Sequence, residues 1–152
     1  MGKRVKNAKQ VTFGGITFRS ELEYNVYKTL IEAGFKPAYE KRLYTLIEPL
    51  SPTVPFFTKS KKSKNNKTLK TNKLRLDMKE LEPTTYLPDF TFKYKGYFII
   101  VEAKGYKTDE YKIKIKLFRS LMEKTKEFDK IMFFEVYHEN HVLQMIEILK
   151  QL

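Results

Sequence analysis

Apolar side chains recur at two periods along this chain, and the switches between them predict its elements. Leu22, Val26, Leu30 and Ala33 share one face at helical spacing, with Ser20 placed to cap the start and Gly34 to end the helix. Glu23, three residues after Ser20, completes a Ser-x-x-Glu capping box. Upstream, Val11 to Phe18 centres on Gly14-Gly15 and reads either as a small hairpin or as an extended lead-in. Downstream, Phe35 to Ile47 alternates imperfectly and predicts one strand. Two extended runs, Tyr86 to Tyr94 and Tyr97 to Val101, are rich in aromatic and β-branched residues, and Lys95-Gly96 joins them as a hairpin turn. Pro88 stands near the start of the first run, where a missing N–H disturbs a ladder least. Ile113, Leu117 and Leu121 form a second helical stripe behind Thr108, an N-cap followed by Asp109 and Glu110. Lys130 to Tyr137 reads as a buried strand. Asn140 caps a last helix with Val142, Met145, Ile146 and Leu149 inward.

The order helix, strand, loop, hairpin, helix, strand, helix predicts an α/β domain, a mixed β-sheet flanked by helices. A chain of 152 residues suffices for one such domain with a single core. The 41% of hydrophobic residues belong to a globular chain, not a disordered one. Cysteine is absent, which excludes disulfides and thiolate metal sites and fits a reducing cytoplasm. No apolar run approaches a membrane span, and Met1 to Gln10 lacks the apolar core of a signal peptide, so a cytoplasmic protein without a membrane partner is expected.

Charge changes the picture more. Lys and Arg number 30 against 18 Asp and Glu, a formal +12, which points to a polyanionic partner or an anionic membrane surface. Residues 1–10 form a basic tail. A composition break covers 48–83: Pro49, Pro52 and Pro55 make a linker, and Lys59, Lys61, Lys62, Lys64, Lys67, Lys70, Lys73 and Arg75 follow with no acid among them. Such a run repels itself, so a mobile loop is expected, either a solvated insertion or, the reading preferred, a clamp on nucleic-acid phosphates. Lys112 and Lys116, four apart on the second helix, are further phosphate candidates or else solvated surface.

The candidate chemistry sits in the hairpin. Side chains alternate along a strand, so Glu102 and Lys104 emerge on one face with Ala103 on the other, and a neighbouring strand brings Asp89 within reach. Carboxylate oxygens suit Mg²⁺, which takes one or two of them plus waters, and a lysine beside them can orient a water or steady charge on a phosphate. That is the outline of a metal-dependent phosphodiesterase. Glu23 flanks the apolar stripe of the first helix and can look toward the sheet, although capping alone also accounts for it. His138 and His141 carry no partner pattern.

Pro88-Asp89 followed by Glu102-Ala103-Lys104 resembles the signature of the PD-(D/E)XK nuclease superfamily. With Phe18-Arg19-Ser20-Glu21-Leu22-Glu23 upstream, Tyr-x-Pro-Asp-Phe, and Val-Glu-x-Lys-Gly, the chain is similar to phage Holliday junction resolvases of the endonuclease I type, and also to phage nuclease-like proteins sharing the run from Lys104 to Tyr111. The resemblance spans Phe18 to about Phe118 and leaves the basic insertion unmatched. It implies a restriction-endonuclease-like core with the long basic loop inserted between core strands. It further implies catalytic Glu23, Asp89, Glu102 and Lys104, with Mg²⁺ (Mn²⁺ substituting) held by Asp89, Glu102, the Ala103 carbonyl and Glu23. The substrate would be DNA, four-way or otherwise branched, and the protein a homodimer. The competing expectations are a nucleic-acid-binding protein without catalysis and a basic structural protein of a virion.

Overall fold

The computed structural model describes residues 8–59, 74–125 and 130–152. In chain order these form β1 (Val11–Phe13), β2 (Ile16–Phe18), α1 (Glu21–Glu32), β3 (Ala38–Tyr39), β4 (Tyr44–Ile47), β5 (Phe57–Lys59), β6 (Leu74–Leu76), β7 (Thr84–Tyr86), β8 (Phe90–Tyr94), β9 (Tyr97–Ala103), α2 (Asp109–Thr125), β10 (Ile131–Val136) and α3 (Glu139–Lys150). The class is mixed α/β, with several sheets and three helices among the described residues. The chain divides into two compact units, Met1–Leu46 with Thr85–Leu152, and Ile47–Thr84.

The first unit is built around β9, which is buried from Phe98 to Ala103. It lies between parallel β10 and antiparallel β8, and β3 continues the sheet beyond β8. A strand covered on both faces needs a continuous apolar run, and Phe98 to Val101 supplies it. Alternation sends Ile99, Val101 and Ala103 to the face packed by Val26 and Leu30 of α1 and Val142, Met145 and Leu149 of α3. Phe98 and Ile100 go to the opposite face, against Tyr111 and Phe118 of α2. The β8–β9 turn has φ +45° at Lys95 and +81° at Gly96, the doubly positive pattern of a type I′ hairpin. Val11 to Phe18 is likewise a hairpin, β1 with β2.

Several expectations are corrected. The single strand over Phe35 to Ile47 is two strands in two ladders, β3 on β8 and β4 on β7. Between them Glu40 takes φ +45°, a conformation no strand continues through, and its carboxylate is paired with Arg19 at 2.6 Å. The run from Tyr86 to Tyr94 is also broken, at Leu87-Pro88-Asp89, so that Tyr86 belongs to β7 while Phe90 opens β8. On α2 the buried stripe is Tyr111 and Phe118, with Ile115, Leu121 and Met122 beside it, and Ile113 is 63% exposed. The spacing i, i+4, i+7, i+11 from Tyr111 to Met122 is as regular as the other stripe and carries the larger rings. The N-cap of α3 is His138, not Asn140; its side chain caps nothing, and His141 Nδ1 instead accepts the Tyr137 N–H at 3.2 Å. As the edge strand of the sheet, β10 is only half-buried up to Val136.

In the second unit Leu50 and Leu81 make an antiparallel bridge, and β5 pairs with β6 in the register Thr58↔Arg75 and Lys59↔Leu74. The ends of the expected basic loop, Lys59 and Arg75, therefore sit in a ladder, and Arg75 bonds Asp77 at 3.3 Å. Lys61, Lys62, Lys64, Lys67, Lys70 and Lys73 lie outside the described residues, as does most of the basic tail. No described helix is long and apolar enough to cross a membrane.

Candidate active site

The register of the central hairpin places the first two carboxylates. Its last pair is Phe90↔Val101, and one step further sets Asp89 opposite Glu102 on the face covered by α2. Opposed residues of an antiparallel pair hold their Cβ atoms roughly 5 Å apart. Asp89 is fixed there by the Ala103 N–H, which donates to Oδ2 at 2.7 Å. Glu102 is 3% exposed and held at both oxygens: the Tyr86 hydroxyl donates to Oε2 at 2.6 Å, and Lys104 Nζ lies 2.8 Å from Oε1. The same ammonium stands 4.2 Å from the centre of the Tyr111 ring, a cation–π contact from the helix packed on that face.

Burial and like charge dominate the electrostatics. Desolvation, then the charges of Glu102 and Glu23, push the Asp89 carboxyl up to about 8, against the lowering effects of the Ala103 N–H and Lys104. Burial and the Glu102 charge raise Tyr86 far above the ordinary phenol range, so it remains a neutral donor. The breaks at Leu87-Pro88-Asp89 and at Glu40 thus have a use: they deliver Tyr86 and Asp89 to one place from two separate ladders.

Glu23 arrives from the other face of the sheet, on the first turn of α1. Ser20 caps the helix as expected, its Oγ accepting the Glu23 N–H at 3.2 Å. The reciprocal half of the capping box is different. Glu23 Oε2 accepts the Arg19 N–H at 3.0 Å rather than that of Ser20, and the Tyr39 hydroxyl at 2.6 Å, while Oε1 takes the Ser20 hydroxyl at 3.0 Å. Glu23 is buried and its charge is felt by Asp89, so capping and proximity to the cluster coexist.

Glu23, Asp89, Glu102, Ala103 and Lys104 line one cleft of about 580 Å³. Lys112 and Lys116 do not line it; Lys112 pairs with Asp109 at 3.0 Å. Arg19, Tyr86, Tyr111 and Lys114 do, and the sequence reading assigned none of them to the site. Lys114 was legible in principle, lying three residues past Tyr111 on the stripe that packs. Nothing in local spacing reveals Tyr86, because its bond to Glu102 crosses from one ladder to another.

Among the described residues no three His, Cys, Asp or Glu side chains form a metal-holding group. The smaller donor set of Asp89 and Glu102, with Glu23 nearby, still fits Mg²⁺, which needs one or two carboxylates and keeps its waters. The structural sign of the fit is that Asp89 and Glu102 are both buried and stand opposed on neighbouring strands: buried acids crowded together are what a divalent cation relieves. No family model, curated protein or solved structure matches the chain.

Proposed function

We propose that the chain is a Mg²⁺-dependent endodeoxyribonuclease with a restriction-endonuclease-like core, hydrolysing phosphodiester bonds of DNA. One observation carries this reading: Asp89 and Glu102 stand opposed at the end of a buried hairpin, with Lys104 on the Glu102 carboxylate, in a single open cleft. Asp89 and Glu102 would hold the metal, with Glu23 and the Ala103 carbonyl completing its surroundings. The bound ion would activate a water and take up charge on the phosphate. The hydroxyl of Tyr86 keeps Glu102 oriented, and the Ala103 N–H does the same for Asp89. Once withdrawn from Glu102 Oε1, the Lys104 ammonium orients the attacking water or a phosphate oxygen. A branched substrate and a homodimer belong to this proposal through the resemblance to junction resolvases.

A second reading, a DNA-binding protein that does not cleave, is favoured by one feature. Both Glu102 oxygens are already engaged, by Tyr86 and Lys104. The test is incubation with four-way junction, duplex and single-stranded DNA in Mg²⁺ or in EDTA. Cleavage in Mg²⁺ alone, strongest on the junction, is expected. Binding to all three without any cut selects the second reading, and cutting in EDTA sinks the metal mechanism.

A further inference from the structure

A cleft lined by four acids, Glu23, Asp89, Glu102 and Glu110, repels the polyanion it is proposed to cut, so cations at its rim must offset them. Among the described residues three cations line it, Arg19, Lys104 and Lys114. Lys104, on Glu102, belongs to the proposed chemistry at the reacting phosphate. The other two stand on elements that cover opposite faces of the sheet, Arg19 immediately before α1 and Lys114 on α2. Neither is a stray surface charge. The Arg19 backbone is anchored by its N–H to Glu23 Oε2 at 3.0 Å, and Lys114 shares the α2 face of Tyr111 and Phe118. Each is parked on one carboxylate, Arg19 on Glu40 at 2.6 Å and Lys114 on Glu110 at 3.0 Å. Both pairs reach solvent, with side-chain exposures of 65% for Arg19 and 75% for Glu110. The Lys114–Glu110 pair is weakly held at its exposed carboxylate, so a phosphate can displace Glu110 at little cost. Glu40 is only 19% exposed, so Arg19 stays on it and meets a phosphate with the donors that pair leaves over. The guanidinium also offers a planar fork that matches two phosphate oxygens.

Resting on the nuclease reading above, we infer that Arg19 and Lys114 grip the DNA backbone on either side of the carboxylate cluster. The strand then crosses the open end of the sheet at Ala103, from the α1 face to the α2 face. Its phosphates are held by this chain's own cleft rather than by Lys112 or Lys116.

The experiment is titration of a fluorescein-labelled DNA duplex over a salt series in EDTA, where binding is read without cleavage. Arg19→Gln and Lys114→Gln should each flatten the slope of log K against log salt by about 0.9, and the double variant by roughly twice that. Arg19→Lys, which keeps the charge and guards against a folding artefact, should keep the slope. Lys28→Gln removes an equal charge from the part of α1 paired with Glu32 and should also leave it unchanged. A wild-type slope in either Gln variant overturns the grip. Cleavage in Mg²⁺ with unchanged slopes sinks the grip alone, whereas flattened slopes in a protein that never cuts support the grip and sink the nuclease.

Discussion

Asp89 ionises against the resistance of its surroundings, and this makes the metal-free protein sensitive to pH. Its carboxyl sits at about 8 in the folded chain against 3.8 as the ordinary value. A group whose pKa is raised by folding stabilises the fold in its protonated form, and that stability is lost as the proton leaves. Thermal unfolding in EDTA should therefore show stability falling between about pH 4 and pH 8, on the order of a few kcal/mol. Asp89→Asn keeps an oxygen for the Ala103 N–H and removes the charge, so it should flatten that fall and exceed wild type at pH 8. Adding Mg²⁺ at pH 8 should raise the wild-type melting temperature and leave the variant unmoved. A wild-type protein that gains stability over this window contradicts the assignment. Glu23 makes the complementary case. Three donors converge on its carboxylate, from Arg19, Ser20 and Tyr39, and a glutamine oxygen in the place of Oε2 still accepts from Arg19 and Tyr39 once the Ser20 hydroxyl turns to accept from the amide. Glu23→Gln should cost about 1 kcal/mol of stability while severely reducing Mg²⁺-dependent cleavage, with DNA binding intact. Normal cleavage by this variant returns Glu23 to the role of a helix cap.

Elements were legible wherever local pattern and tertiary context agree. The hairpin at Lys95-Gly96, the first helix between Ser20 and Gly34, and the inward face of α3 all follow from spacing and turn chemistry. The misreadings share one cause: a neighbour imposed what the local sequence does not encode. Glu40 bends the chain where its carboxylate meets Arg19, and Tyr111 and Phe118 turn α2 away from the Ile113 stripe because their rings fill the space beneath it. Phe118 is the pivot of that second face. It is buried against Tyr44 at 4.9 Å, Tyr86 at 4.7 Å and Phe133 at 5.8 Å. Phe118→Ala should cost about 3–5 kcal/mol in denaturant unfolding. It should also weaken cleavage in the folded fraction, because Tyr86 loses the ring that holds it against Glu102. A cost below about 1 kcal/mol would show that α2 does not pack as described.

For the whole molecule, the candidate residues were legible and their partners were not. Asp89, Glu102 and Lys104 announce themselves as acids and a base at the end of an apolar strand. Tyr86, Arg19 and Lys114 join them only through ladder crossings and helix rotation, which one sequence does not fix. What the unit built from Met1–Leu46 and Thr85–Leu152 adds is a reason for the arrangement: helices on both faces bury the hairpin, and the cleft at its end gathers the charged side chains. The central claim is that this end cuts DNA with a metal held by Asp89 and Glu102. The most direct measurement is single-turnover cleavage of a four-way junction in Mg²⁺ by wild type, Asp89→Asn, Glu102→Gln and Lys104→Ala, with binding followed in parallel. The expected result is cleavage by wild type and a loss of orders of magnitude in each variant while binding persists. Wild-type cleavage rates in Asp89→Asn or Glu102→Gln would contradict it.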